Sequence, residues 1–159
     1  SSEQYEGKIL SPFYPHYRIP IPGESKTVTA ACVEAIWQGL KVFENEGIDL
    51  GMFRNDTMKN IKRTVRKFGK PLGHQYGVFS KTLLNYEDAK RLIYIPTYKY
   101  VLENVPSVIR SLDKIRKLLE TQDVVLLDYN LNPDNADKSK PLSHAELIKM
   151  YLEGRYPEE

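Results

Sequence analysis

The chain reads as an α+β domain, predominantly helical with a few short strands, and three stretches predict this. Residues 28–45 carry apolar side chains at helical spacing and stop before Gly47, a good helix-ending residue. Residues 106–120 repeat that spacing behind Pro106, which suits a first helical position. Val124-Val125-Leu126-Leu127 is an apolar run too short for a helix and fits a buried strand. With 159 residues the chain is long enough for one domain with one sizeable core, so residues 1–159 are taken as a single domain.

The elements follow in order. Lys8-Ile9-Leu10 fits a short strand, and Pro12, Pro15, Pro20, Pro22 and Gly23 keep residues 11–24 extended or turning. The first helix is predicted over Val28–Asn45. A second starts with Asn55 or Asp56 as its cap and ends before Gly69, with Met58, Ile61, Val65 and Phe68 as its buried stripe. Residues 69–84, with Gly69, Gly73 and Gly77 around His74-Gln75-Tyr76, read as a loop. A third helix follows Asn85 and is interrupted at Pro96, which begins the next helical stretch. Residues 130–141 are turn-rich. Ser143-His144-Ala145-Glu146 is a capping box for a last helix that Gly154 closes, and it places His144 on the surface.

Composition excludes several classes. A hydrophobic share of 41% and a charged share of 28% are ordinary for a soluble globular protein, and a net charge of +2 does not by itself indicate a polyanion binder. Cys32 is the single cysteine, so a disulfide framework is excluded, and its apolar neighbours make it a small buried hydrophobe. No apolar run spans a bilayer and no signal peptide opens the chain, so a cytoplasmic protein without membrane contact is expected. No phosphate loop, dinucleotide fingerprint, serine elbow or zinc spacing occurs, and neither cofactor nor metal is expected. Eleven tyrosines suit a pocket that stacks flat rings.

The chemistry concentrates in Val33-Glu34-Ala35-Ile36-Trp37-Gln38-Gly39-Leu40-Lys41. At about 100° per residue, Val33, Ile36, Trp37 and Leu40 share an apolar arc. Glu34, Gln38 and Lys41 line its edge, with Glu34 and Lys41 two turns apart on one face. An acid, an amine, an amide and an indole at the rim of a dry wall make a pocket, where both ionisable groups can have shifted pKa values. The alternative is a solvated face with Trp37 in the core. His16 and His74 lie in loops that could reach a pocket. Asp128, at the end of the predicted strand, is a further candidate, and Tyr76 stands beside His74. Lys59, Lys62, Arg63, Arg66 and Lys67 cover the second helix; they read either as a solvated face or, for Lys62, Arg63 and Arg66, as a phosphate or nucleic-acid surface.

Two segments in this order, Leu10-Ser11-Pro12-Phe13-Tyr14-Pro15 and then a helix with Val33-Glu34, Gln38 and Lys41, resemble the NADAR family of riboflavin-biosynthesis-associated N-glycosidase-like domains. Pro12 stands where that family usually has Asn, and Ala35 where it usually has His. The resemblance implies a NADAR-like fold and hydrolysis of a ribose C1′–N bond. It implies removal of ADP-ribose from guanine bases of DNA, RNA or nucleotides, as in antitoxins that oppose ADP-ribosyltransferases, or cleavage of ribosylamine phosphate intermediates of riboflavin synthesis. A non-catalytic module that binds ADP-ribose or a nucleotide is the remaining reading of this kind. By position, Glu34 and Lys41 carry over as the catalytic pair and Gln38 as their neighbour. Ser11 and Phe13 carry over as ligand contacts, and Trp37 is placed to stack on a ring.

Overall fold

The computed structural model describes residues 7–122 and 144–157. Among the described residues the fold is α+β, with short helices and two small antiparallel sheets. These residues group into two compact units, one formed by Pro12–Glu103 and the other by residues 7–11, 104–122 and 144–157.

In the Pro12–Glu103 unit, β1 (Ile19–Pro20) pairs with β2 (Thr29–Ala30), and helix α1 (Val33–Gly39) follows directly. Cys32 caps α1: its buried Sγ accepts from the Ala35 amide, and burial raises its thiol to about 11, so it packs as a neutral hydrophobe. The predicted long helix is therefore shorter at both ends. Its first residues form β2, and Lys41–Phe43 form strand β3. The cause is tertiary. The last carbonyls of the helix are taken from outside it: Gly39 O by the Asp49 amide at 2.8 Å, Leu40 O by the Gln75 amide at 2.9 Å, and Gln38 O by Arg63 Nη1 at 3.1 Å. Gly39 also lies so close to Phe53 that a Cβ there would stand 2.5 Å from its ring.

A 3₁₀ turn, Leu50–Arg54, leads into the stretch predicted as the second helix. Only α2 (Val65–Phe68) forms. Asn55 and Thr57 bind the local backbone instead: Asn55 Oδ1 accepts from Thr57 N, Asn55 Nδ2 donates to Lys59 O, and Thr57 Oγ1 accepts from Lys59 N. Those bonds compete with helix formation, and Met58 and Asn60 take positive φ values of 62° and 58°. Of the expected apolar stripe, Ile61 is buried, whereas Val65 is exposed.

The segment read as a loop carries two strands, β4 (Pro71–Gln75) and β5 (Leu83–Leu84), which complete a three-stranded sheet in the order β3-β4-β5. In register, Lys41 faces His74 and His74 faces Leu84. Gly73 is required in β4, since a Cβ would stand 2.6 Å from Leu84 O. The sequence pattern missed β4 because its Pro and Gly are strand-poor residues, and pairing with β3 overrides that preference.

Helix α3 (Tyr86–Ala89) starts as predicted, with Asn85 Oδ1 accepting from the Asp88 amide at 2.8 Å. Pro96 does not interrupt the helix. A π-helical stretch, Lys90–Tyr94, runs into α4 (Ile95–Asn104), and this wider turn accommodates the missing proline N–H. The core of this unit contains Ile19, Ile36, Leu40, Phe43, Ile61, Ile93 and Tyr98.

In the other unit, residues 7–9 are helical where a strand is expected. Helix α5 (Pro106–Leu119) begins on Pro106 and buries Val108, Leu112 and Ile115 on one face. Helix α6 (His144–Leu152) buries Leu147 and Ile148, and Gly154, at φ 72°, closes it with Arg155 N donating to Met150 O. His144 is buried rather than on the surface, because the first turn of α6 carries the packed face with Leu147 and Ile148. The predicted strand 124–127, Asp128 and the turn-rich 130–141 lie outside the described residues. Among the described residues no helix is long and apolar enough to cross a membrane.

Candidate functional site

Glu34, Trp37 and Gln38 come from α1, Lys41 from β3 and His74 from β4, all within the Pro12–Glu103 unit. Glu34 and Lys41 do not share a helix face as expected, since the helix ends at Gly39. The turn through Leu40 nevertheless keeps each within the other's field: Lys41 lowers the Glu34 pKa, and Glu34 raises that of Lys41.

Glu34 and Gln38 are buried, which rules out the solvated-face reading for both. Gln38 Nε2 donates to Glu34 Oε1 at 3.0 Å, and Gln38 Oε1 accepts from the Arg63 amide at 3.2 Å. The amide side chain is thereby locked and fixes the carboxylate. Burial pushes the Glu34 carboxyl above the ordinary range, opposed by the Gln38 hydrogen bond and then by the charges of Lys62 and Lys41. Lys41 is half-buried. Burial pushes its ammonium below the usual lysine range, with the Arg63 charge acting in the same direction and Glu34 opposing. The two groups interact through space without a direct ion pair. The Lys41 Nζ lies 5.4 Å from the Phe43 ring centroid, a cation–π contact along β3.

His74 sits opposite Lys41 across the β3–β4 pair, and directly opposed residues on antiparallel strands point to the same face. Its ring lies 3.8 Å from that of Trp37, tilted by 30° against it. Tyr86 and Tyr94 meet the same indole edge-on at 6.1 and 5.7 Å. Burial, reinforced by the Lys41 charge, drives the His74 pKa down to about 3, so the ring is neutral at physiological pH. One ring nitrogen is hydrogen-bonded to the Trp37 backbone; Nε2 is buried and has no partner. A neutral imidazole that donates from one nitrogen presents the other as an acceptor, so Nε2 is an unused acceptor on the strand paired with Lys41.

Arg63 corrects the basic-face expectation. Its side chain is buried, and its guanidinium donates to the backbone carbonyls of Gln38, Lys41 and Gly47 while lying 4.8 and 5.1 Å from the ring centroids of Phe43 and Phe68. It ties α1 to β3 and is turned away from any phosphate surface. Lys62 and Arg66 are exposed, but without the predicted helix they form no continuous strip. Lys62 instead adds positive field at Glu34.

The other expected residues are distributed as follows. Phe13 packs on the cluster of Cys32, Ala35, Met52 and Ile61. Ser11 is buried and falls in the other unit. Tyr76 is exposed, just beyond β4. His16 is half-buried, its ring 4.8 Å from that of Tyr14. Asp128 lies outside the described residues. Sequence reasoning missed Tyr86 and Tyr94; the abundance of tyrosine was the only signal for them. Among the described residues no group of three His, Cys, Asp or Glu side chains is placed to hold a metal ion.

The arrangement thus offers a carboxylate of raised pKa, an amine of lowered pKa and an imidazole acceptor beside an aromatic platform. It belongs to a chain whose residues 1–148 match a family of unknown function, DUF6939. The chain is a member of that family. No curated protein and no solved structure matches it.

Proposed function

We propose that the protein is an N-glycosidase that hydrolyses a ribose C1′–N bond, with ADP-ribose attached to guanine in nucleic acid or nucleotides as its substrate. The observation that carries this reading is the arrangement of a buried Glu34 held by Gln38 on α1, with Lys41 and His74 paired across β3 and β4 and the His74 ring against Trp37. The resemblance to NADAR domains at residues 10–15 and 33–41 supplies the bond.

Breaking that bond leaves positive charge on the ribose, and the Glu34 carboxylate stabilises it at short range in a poorly solvated setting. The departing base takes the bonding pair and needs a proton. An ammonium of lowered pKa is a stronger acid than an ordinary lysine, so Lys41 delivers that proton. Water then adds its hydroxyl to C1′ and gives its proton to Glu34. Trp37 stacks on the base, and His74 Nε2 accepts from a ribose hydroxyl, which gives the orphaned nitrogen a partner. Exposed Lys62 and Arg66 contact phosphate.

The test is release of free ADP-ribose from an ADP-ribosylated guanosine oligonucleotide. Lys41→Ala is expected to lower turnover by at least 100-fold, within the range typical of general acids. Full activity in that variant sinks the assignment. Borohydride reduction during turnover distinguishes the roles of Lys41, since a covalent sugar adduct forms only if the amine itself attacks C1′.

A further inference from the structure

Outside that group, residues 16–18 just before β1, together with β2 and the 3₁₀ turn, border an open cleft of about 710 Å³. Its lining includes Ala30, Ala31 and Phe53, all nearly buried, with His16, Arg18 and Arg54 around them. None of these residues belongs to the Glu34–Lys41–His74 group. The volume falls in the range of small-molecule sites, well above that of a single inorganic ion.

The backbone beside it is strained. Tyr17 and Arg18 are consecutive non-glycine residues at φ 62° and 57°, a region that side chains rarely adopt. The strain is held by Tyr17 N donating to Ala31 O at 2.9 Å, Tyr17 Oη donating to Asp56 Oδ2 at 2.9 Å, and the register of Ile19 on Ala30. It delivers Arg18 to a cleft that Arg54 lines from the 3₁₀ turn. Neither guanidinium has a hydrogen bond or ion pair among the described residues, and Asp56 does not line the cleft.

We propose that this cleft binds a small organic phosphate. The phosphate spans Arg18 and Arg54, whose planar forks match its oxygens, and the apolar or ring body lies on Phe53, Ala30 and Ala31 with His16 alongside. Two arginines balance one dianionic group, whereas tracking a nucleic-acid strand takes a longer row of cations. The proposal does not depend on the glycosidase reading.

The test is an amide-detected NMR titration with phenyl phosphate, compared with benzoate and benzyl alcohol. Phenyl phosphate is expected to shift the Ala30, Ala31 and Arg54 amides and to bind at least tenfold more tightly than either comparison compound. Arg18→Ala and Arg54→Ala should each weaken it by tenfold or more. Shifts confined to residues around Trp37 and His74 overturn the proposal. So does equal binding of all three compounds, or phenyl phosphate binding unchanged in both arginine variants. An unmodified single-stranded oligonucleotide that shifts the same amides, and that phenyl phosphate does not displace, assigns the cleft to nucleic acid and overturns it as well.

Discussion

Lys41 and His74 are paired directly across β3 and β4, so an ammonium and a neutral imidazole occupy the same face of one sheet. The Lys41 charge helps hold His74 unprotonated, and the packing that buries His74 is the Trp37 ring contact against α1. The state of this face therefore depends on pH in a way that thermodynamic measurement can read.

The first prediction concerns acid. The His74 pKa falls from 6.5 to about 3 on folding. The unfolded chain thus binds the extra proton first, and stability is lost as pH drops below 6.5 until the folded pKa is reached. The slope is about 1.4 kcal/mol per pH unit within that window. Glu34, with a raised pKa, acts with the opposite sign, so the measurement is best made in Glu34→Gln. Urea unfolding between pH 7 and pH 4 should show the slope, and His74→Phe should flatten it. An identical slope in that variant removes His74 as its source.

Glu34→Gln separates the proposed catalytic role of Glu34 from its effect on stability. A carboxyl whose pKa rises on folding is bound more tightly to its proton in the native state, so its ionisation lowers stability as pH rises above the unfolded value. The amide variant keeps an oxygen for Gln38 and removes the buried charge. Its melting temperature at pH 7 should rise, by about 2–4 °C for each kcal/mol recovered in a chain of this size. Under the proposed function, ADP-ribose release should fall by at least 100-fold at the same time. A variant both less stable and fully active contradicts the reading of Glu34.

Arg63 is expected to behave as a structural tie. Arg63→Met leaves the Gln38, Lys41 and Gly47 carbonyls without their donor and should cost about 3 kcal/mol in urea unfolding, given the usual penalty for unpaired buried groups. Arg63→Lys should recover less than half of that, because one ammonium cannot reach three carbonyls as the planar fork does. A loss below about 1 kcal/mol in the Met variant, again by urea unfolding, would place the guanidinium in solvent.

The sequence by itself determined what local chemistry decides. Asn85 caps a helix, Pro106 opens one, Gly154 closes one, and Cys32 is a buried neutral thiol, since each depends on a residue and its near neighbours. It also brought Glu34, Trp37, Gln38 and Lys41 into one candidate group from their spacing, although the helix that justified the spacing is interrupted. Only the tertiary structure decided where α1 stops, because its final carbonyls are claimed by Asp49, Arg63 and Gln75, distant in the chain. It likewise converted the Gly-containing segment into β4 and placed His74 on Lys41. It also turned Arg63 inward and brought Tyr86 and Tyr94 to the edge of Trp37. Helical periodicity records which side chains share a face if the helix continues. It does not record which backbone groups find a better partner elsewhere, and here that competition set the geometry of the site.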